Sequence, residues 1–329
     1  MKKTFLLLLM TAFVFLCFKP NATAADARIL IGSTGAASSH YAYWVAVGEA
    51  IKKYAPGISP TVVETGGTND NADRLIRKQV DIGLGNIETA FNAYRGEAKW
   101  KGKPNPEMRW LWSYTKIPMD IVVRVDSGVN SIYDLSGKKF CAGARGSGGE
   151  ILLQQVFEIL GIKPDYYRGG YDDATAALED RQIVGMAKWA AGEDVGDALI
   201  IRISSTTKLR WLSLSDKDFQ KVQKSLTYIL SFSHPPNVYK DQTYEVTSIG
   251  TTSCCFTTSN LSPDLGYRIA KAAYEGKKIQ EESFPAFKKI DMFRLAVQYA
   301  SVPFHVGTVK ICNELGIQVP KHLMPPEYK

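Results

Sequence analysis

Residues that bear chemistry are scarce in this chain. It holds five cysteines and four histidines, with no CxxC pair and no histidine at metal-ligand spacing from a cysteine, so a zinc site has no support. No GK[ST] closes a glycine-rich loop, which excludes a Walker A phosphate loop, and neither a GxGxxG fingerprint nor a GxSxG nucleophile elbow occurs. Charge of one sign is missing as a block. The 40 Lys and Arg exceed the 33 Asp and Glu, but the two are interleaved along the chain, and no nucleic-acid partner is expected. Long biased tracts are absent too. With 45% apolar and 22% charged residues, the composition is that of a globular protein. At 329 residues the chain outgrows the roughly 250 to 300 that one core sustains, which predicts two lobes.

Hydrophobic runs are equally few. The run Phe5 to Phe18 follows Lys2 and Lys3, is shorter than the ~20 residues of a spanning helix, and leads to the small-x-small site Ala22-Thr23-Ala24. It reads as a secretory signal peptide over residues 1–24, giving a mature protein that is soluble in the periplasm. Bulky Phe15 and Leu16 before Cys17 argue against a lipid anchor there. Losing Lys2, Lys3 and Lys19 from the 40 basic residues, against 33 acidic ones, leaves a formal charge of about +4. Cys141, Cys254, Cys255 and Cys312 remain and read as buried free thiols, with a disulfide as the alternative.

From Arg28 onward short β-branched runs alternate with amphipathic segments. Arg28 to Gly32, Pro60 to Glu64 and Asp81 to Gly85 read as strands, Tyr41 to Tyr54 and Asn69 to Arg77 as helices. After the apolar segment Ile121 to Val125 the alternation resumes, with strands Lys139 to Gly143 and Ile183 to Lys188 and helices Glu150 to Leu160 and Asp172 to Asp180. Val246 to Thr257 reads as a long strand, and the remainder as helices over Pro263 to Tyr274, Asp291 to Ala300 and Pro303 to Leu315. Such alternation predicts an α/β fold with parallel sheets covered by helices, and a ligand at the carboxyl ends of the strands. Since the C-terminal helices have no strands of their own, they are expected on the first sheet. The expected lobes are residues 25–118 with 235–329 (lobe I) and 119–234 (lobe II), with a ligand cleft between them.

Loops at the strand ends carry the candidate site. Gly143-Ala144-Arg145-Gly146-Ser147-Gly148-Gly149-Glu150 joins a strand to a helix; its glycines allow close approach, Ser147 can cap the helix, and free amides at a helix start favour an anion. Arg145 adds a planar cationic fork. Gly32 to Tyr41 is a second such loop, with Thr34, Gly35, Ser38, Ser39, His40 and Tyr41 as candidates; the adjacency of Ser39 and His40 does not make a nucleophile and base. Thr65 to Asn71 is a third. Asn86 follows a strand and suits a helix cap, as does Glu88 a first turn, while Tyr114 and Trp189 offer aromatic contact. His305 reads as a structural cap or packing residue. Three such loops describe a binding cleft better than a reaction centre, so no catalytic residue, metal or cofactor is expected.

These motifs together resemble the TRAP-associated extracytoplasmic immunogenic (TAXI) family of solute receptors, relatives of type II periplasmic binding proteins. The resemblance runs from about Arg28 to Gly316. Thr34, Gly35 and Tyr41 fall in the register of that family's TGGxGGTYYPxG loop. Thr65-Gly66-Gly67-Thr68 with Asn71, Asp81 to Gly96, Asp134 to Glu150, and Pro303 to Thr308 follow the pieces ATGGSxxN, DLAxxQxDxAxxAYxG, DLxGKxVxxGxxGSGTE and PxHxGA in order. Ser38, Ser39 and His40 depart from Gly-Gly-Thr, and Arg145 stands where proline is common. The resemblance implies a monomeric receptor that binds a small organic anion, such as a dicarboxylate or an amino acid, and delivers it to membrane-embedded TRAP transporter subunits. A binding subunit of an ABC importer or a chemosensory system, and an enzyme on the same scaffold, are the rival readings.

Overall fold

A computed structural model describes residues 27–329; the expected leader and Cys17 lie outside the described residues. The chain begins β1 (Ala27–Gly32), α1 (Ser39–Tyr54), β2 (Ile58–Val63), α2 (Thr68–Ile76), β3 (Ile82–Asn86), α3 (Ile87–Arg95) and β4 (Met108–Arg124). It continues β5 (Lys139–Cys141), α4 (Gly148–Leu160), β6 (Asp165–Tyr166), α5 (Tyr171–Glu179), β7 (Gly185–Trp189), α6 (Ala198–Thr206), β8 (Leu209–Trp211), α7 (Asp216–Gln223) and β9 (Leu230–His234). It ends β10 (Val246–Thr258), α8 (Pro263–Glu275), α9 (Lys277–Ser283), α10 (Met292–Tyr299) and α11 (Val306–Glu314).

The strands lie in the order β2-β1-β3-β10-β4-β7-β5-β6, with β8 on β4 and β9 on β10. β1 pairs in parallel with β2 and β3, and β5 in parallel with β6 and β7. Between these parallel sets run β4 and β10, antiparallel to their neighbours. β4 takes part in both halves: residues 108–118 pair with β10, whereas 119–124 pair with β7 and β8. The result is the expected α/β, two-lobed fold with a cleft between the lobes.

Each half is held by its own apolar packing. In the first, Tyr43, Trp44, Val47 and Ile51 of α1 meet Trp110, Trp112, Phe256, Phe287 and Phe293 in one core. Helix α1 presents that face because these positions recur at helical spacing, with Ser38 accepting from His40 N at its start and Lys52 and Lys53 closing its last turn. α8 packs on α1 and α11, so the C-terminal helices lie on the first sheet. In the second half, Leu153, Val156 and Phe157 of α4 cover one face of the sheet with Val222 of α7. Leu178, Ile200, Ile203 and Trp211 cover the other.

Where pattern and structure differ, burial on both faces is the reason. Residues Ile121 to Arg124 of the expected apolar segment are only the end of β4, a strand of 17 residues, and Val125 lies beyond it. The sequence of β4 does not alternate because nearly all its side chains are buried. Cys254 and Cys255 point to opposite faces of β10, yet both are buried; they and Cys141 and Cys312 are free thiols. Among the described residues no helix is long and apolar enough to cross a membrane.

Candidate functional site

A cavity of about 600 Å³ opens where the strand ends of the two halves face each other. Its floor is tied together by Asn71, whose Nδ2 donates to Ser33 O (2.8 Å) and Leu84 O (3.0 Å) while Oδ1 accepts from Thr65 Oγ1 (2.8 Å). One buried amide thus fixes the ends of β1, β2 and β3 relative to each other. Asn86 caps α3 by accepting from Thr89 N at 3.1 Å.

On the other side, Gly143 turns the chain into the α4 loop at φ +148°, where a Cβ would lie 2.8 Å from Glu150 N. Ser147 caps the helix by accepting from Glu150 N (3.1 Å), and the Glu150 carboxylate accepts from Gly146 N (2.6 Å) and pairs with Arg168 at 2.9 Å. Those bonds use up the amides of Gly146 and Glu150. The amides of Gly148 and Gly149 have no acceptor among the described residues, and both residues line the cavity. Trp189 Nε1 is likewise buried without a partner, and a Cβ on Gly149 would come within 3.0 Å of it. Arg145 stands exposed on the rim with no ion pair among the described residues. Unpartnered donors beside a cationic rim suit an anionic oxygen.

Ten of the fourteen residues proposed from sequence therefore meet on this wall: Thr34, Gly35, Ser38, His40, Asn86, Arg145, Ser147, Gly148, Gly149 and Trp189. Four do not. Gly146 lies outside the wall with its amide bound to Glu150, and Tyr41 sits further along α1. Ser39 turns to Ala198 N (3.0 Å). Tyr114 is fully buried beneath the cavity, stacked on Tyr43 with ring centroids 3.8 Å apart, and its hydroxyl meets His40 Nδ1 at 2.8 Å. His40 Nε2 meets Ala190 O (3.1 Å). Burial, with Lys188 nearby, lowers the His40 pKa to about 4, so the ring is neutral at pH 7. Its nitrogens face Tyr114 and Ala190, and neither reaches a serine hydroxyl.

Sequence reasoning missed Lys188, whose Nζ lies buried against the cavity, 2.8 Å from Asp197 Oδ2 and 3.3 Å from Ser38 Oγ. The legible signal was a lysine inside the otherwise apolar strand Gly185-Met186-Ala187-Lys188. Glu64, which accepts from Ala36 N (2.9 Å), and Tyr171, Asp172 and Asp173 at the start of α5 also line the wall. Behind the wall Glu88 is buried, accepting from Thr251 Oγ1 (2.8 Å) and from Asn86 Nδ2, and burial raises its pKa to about 7. His305, off the site, caps α11 by accepting from Gly307 N at 3.1 Å.

Two α/β lobes joined by shared strands, with a cavity at the facing strand ends, define a type II periplasmic-binding-protein-like fold. Residues 31–316 match the NMT1-like family, and the chain belongs to it. A solved structure described as a periplasmic transporter is similar at TM-score 0.53 and 11% identity, covering 90% of this chain and 94% of its own. The ligand-binding component of an ABC-type import system from Staphylococcus aureus, with zinc bound, gives TM-score 0.49 at 15% identity over 89% and 94%. A TctC solute-binding protein from Polaromonas, without ligand, gives 0.45 at 18% over 82% and 90%.

Proposed function

We propose that this protein is an extracytoplasmic receptor that captures a small organic anion, dicarboxylate- or amino-acid-like, and delivers it to a TRAP-type membrane transporter. The observation that carries the reading is the cavity of about 600 Å³ between the lobes, whose lining includes Gly148 and Gly149 with unpartnered amides, Trp189 with an unpartnered indole N–H, and Arg145. Its size falls within the range of small-molecule sites. Glu64, Asp172 and Asp173 on the same wall favour a ligand that also carries donors, the amino-acid-like class over the dicarboxylate. The ordered series of TAXI-like motifs supports the TRAP assignment. Lobe I comprises residues 25–118 and 235–329, and lobe II residues 119–234.

A thermal-shift screen of amino acids and organic acids tests the reading, since a ligand at ~100 times its dissociation constant stabilises by ~2.7 kcal/mol. Stoichiometric, reversible binding in calorimetry is the expected result. Turnover of the bound compound, or no stabilisation by any member of either class, overturns it.

A further inference from the structure

We infer that the turn Ser38-Ser39-His40 is an inter-lobe latch that holds the ligand-free protein closed. Each side chain of this turn, at the start of α1 in the first lobe, bonds to the segment that runs from β7 into α6 in the second. Ser38 Oγ accepts from Lys188 Nζ (3.3 Å), Ser39 Oγ accepts from Ala198 N (3.0 Å), and His40 Nε2 donates to Ala190 O (3.1 Å). With Tyr114 donating to Nδ1, the His40 tautomer follows from its two partners.

The bond from His40 exists because a strand bond cannot. Ala190 N donates to Pro118 O at 3.0 Å, and in an antiparallel pair the return bond would run from residue 118 to Ala190 O. Proline has no N–H, so that carbonyl is left over, and His40 takes it. Beyond it the segment docks on the first lobe. Thr115 Oγ1 donates to Ala191 O (2.9 Å), Ala191 is buried in the first lobe's core, and Glu193 and Asp194 pair with Lys116 (2.8 Å) and Lys289 (2.6 Å).

Small-angle scattering of protein stripped of solute by unfolding and refolding tests the latch. Wild type should give the compact radius of gyration of the closed structure, and Ser39→Ala/Thr115→Val a larger one, with its circular dichroism unchanged. Ser39 is the first residue of α1 and not its cap, so its truncation spares the helix. A stripped wild type whose lobes are already apart overturns the latch, as does a folded double variant with wild-type dimensions. Should the double variant not fold, amide exchange at Ala198 in stripped wild type decides: protection is expected, and exchange at the free-peptide rate overturns it. The latch gives the receptor reading its resting state and rests on it only there. Because no solute is present, failure here leaves that reading standing, while turnover or absent binding would remove the reading and leave the latch.

Discussion

Gly148 is where a small change should have the largest consequence. It begins α4 in the second lobe and faces Thr68 and Thr89 of the first. A Cβ there would lie 2.5 Å from Thr68 Oγ1, 3.1 Å from Thr89 Oγ1 and 3.6 Å from Asn69 Oδ1. These atoms have little room to give way: Thr89 Oγ1 lies 3.0 Å from Thr68 Oγ1 and 3.1 Å from Asn69 Oδ1, and all three residues are buried. Gly148→Ala therefore overpacks the closed state by about 1 to 3 kcal/mol. Parting the lobes relieves the clash, so the cost falls on the closed form alone and shifts the balance toward open by about 5- to 150-fold. Within α4 the same change replaces glycine by a better helix former, worth about 0.5 to 1 kcal/mol in the opposite direction. In the solute-free protein, which the latch holds closed, part of this cost appears as lost folding stability, and affinity for a solute found in the screen falls by less than the shift itself. Small-angle scattering of the stripped variant reads the shift directly and should give a larger radius of gyration than wild type. Wild-type dimensions in stripped Gly148→Ala refute the overpacking.

Other outcomes follow from the same geometry. Arg145→Ala should weaken anion binding by about 1.5 to 3 kcal/mol, the scale of a hydrogen bond to a charged group, with unfolding in urea unchanged because the side chain is exposed and unpaired; equal affinity in calorimetry would remove it from the site. Glu88 binds a proton more tightly folded than unfolded, since burial raises its pKa from 4.5 to about 7. Its contribution is therefore full below pH 4.5 and is lost as pH rises through 7, about 3 kcal/mol in all. Glu88→Gln should abolish that loss, so urea unfolding between pH 5 and pH 8 should show wild type falling relative to the variant; parallel curves would mean Glu88 is ionised at low cost.

Much of the fold could be read from periodicity. Strands β1, β2 and β3 and helices α1 and α2 appear within a few residues of their expected places, because each helix buries one face and polar residues mark its ends. β4 was visible only at its tail, since a strand buried on both faces has no alternation to read. Helices α6 and α7 and strands β8 and β9 escaped for a different reason: they are short and take their form from packing on the second sheet. The glycine loops and Trp189 line the cavity, and the loops were legible because glycine clusters mark where each strand turns into a helix. Lys188 did not stand out, because its partner Asp197 is contributed by a different element and becomes a neighbour only after folding. The adjacency of Ser38, Ser39 and His40 was plain, but the groups they bond lie 150 or more positions away in sequence.

β4 and β10 lie side by side where the lobes join, Pro118 of β4 in register with Gly250 of β10. Such a ribbon behaves like a leaf spring. It is soft to flexing across its flat face, which bends the strands without changing which residues are paired. It is stiff to shear and to in-plane turning, because sliding one strand past the other breaks ladder bonds at about 0.5 to 1.5 kcal/mol each. Any motion of the lobes about this ribbon is expected to follow nearly one angle. A solute's size then sets how far that angle closes, but not the direction from which the second lobe arrives.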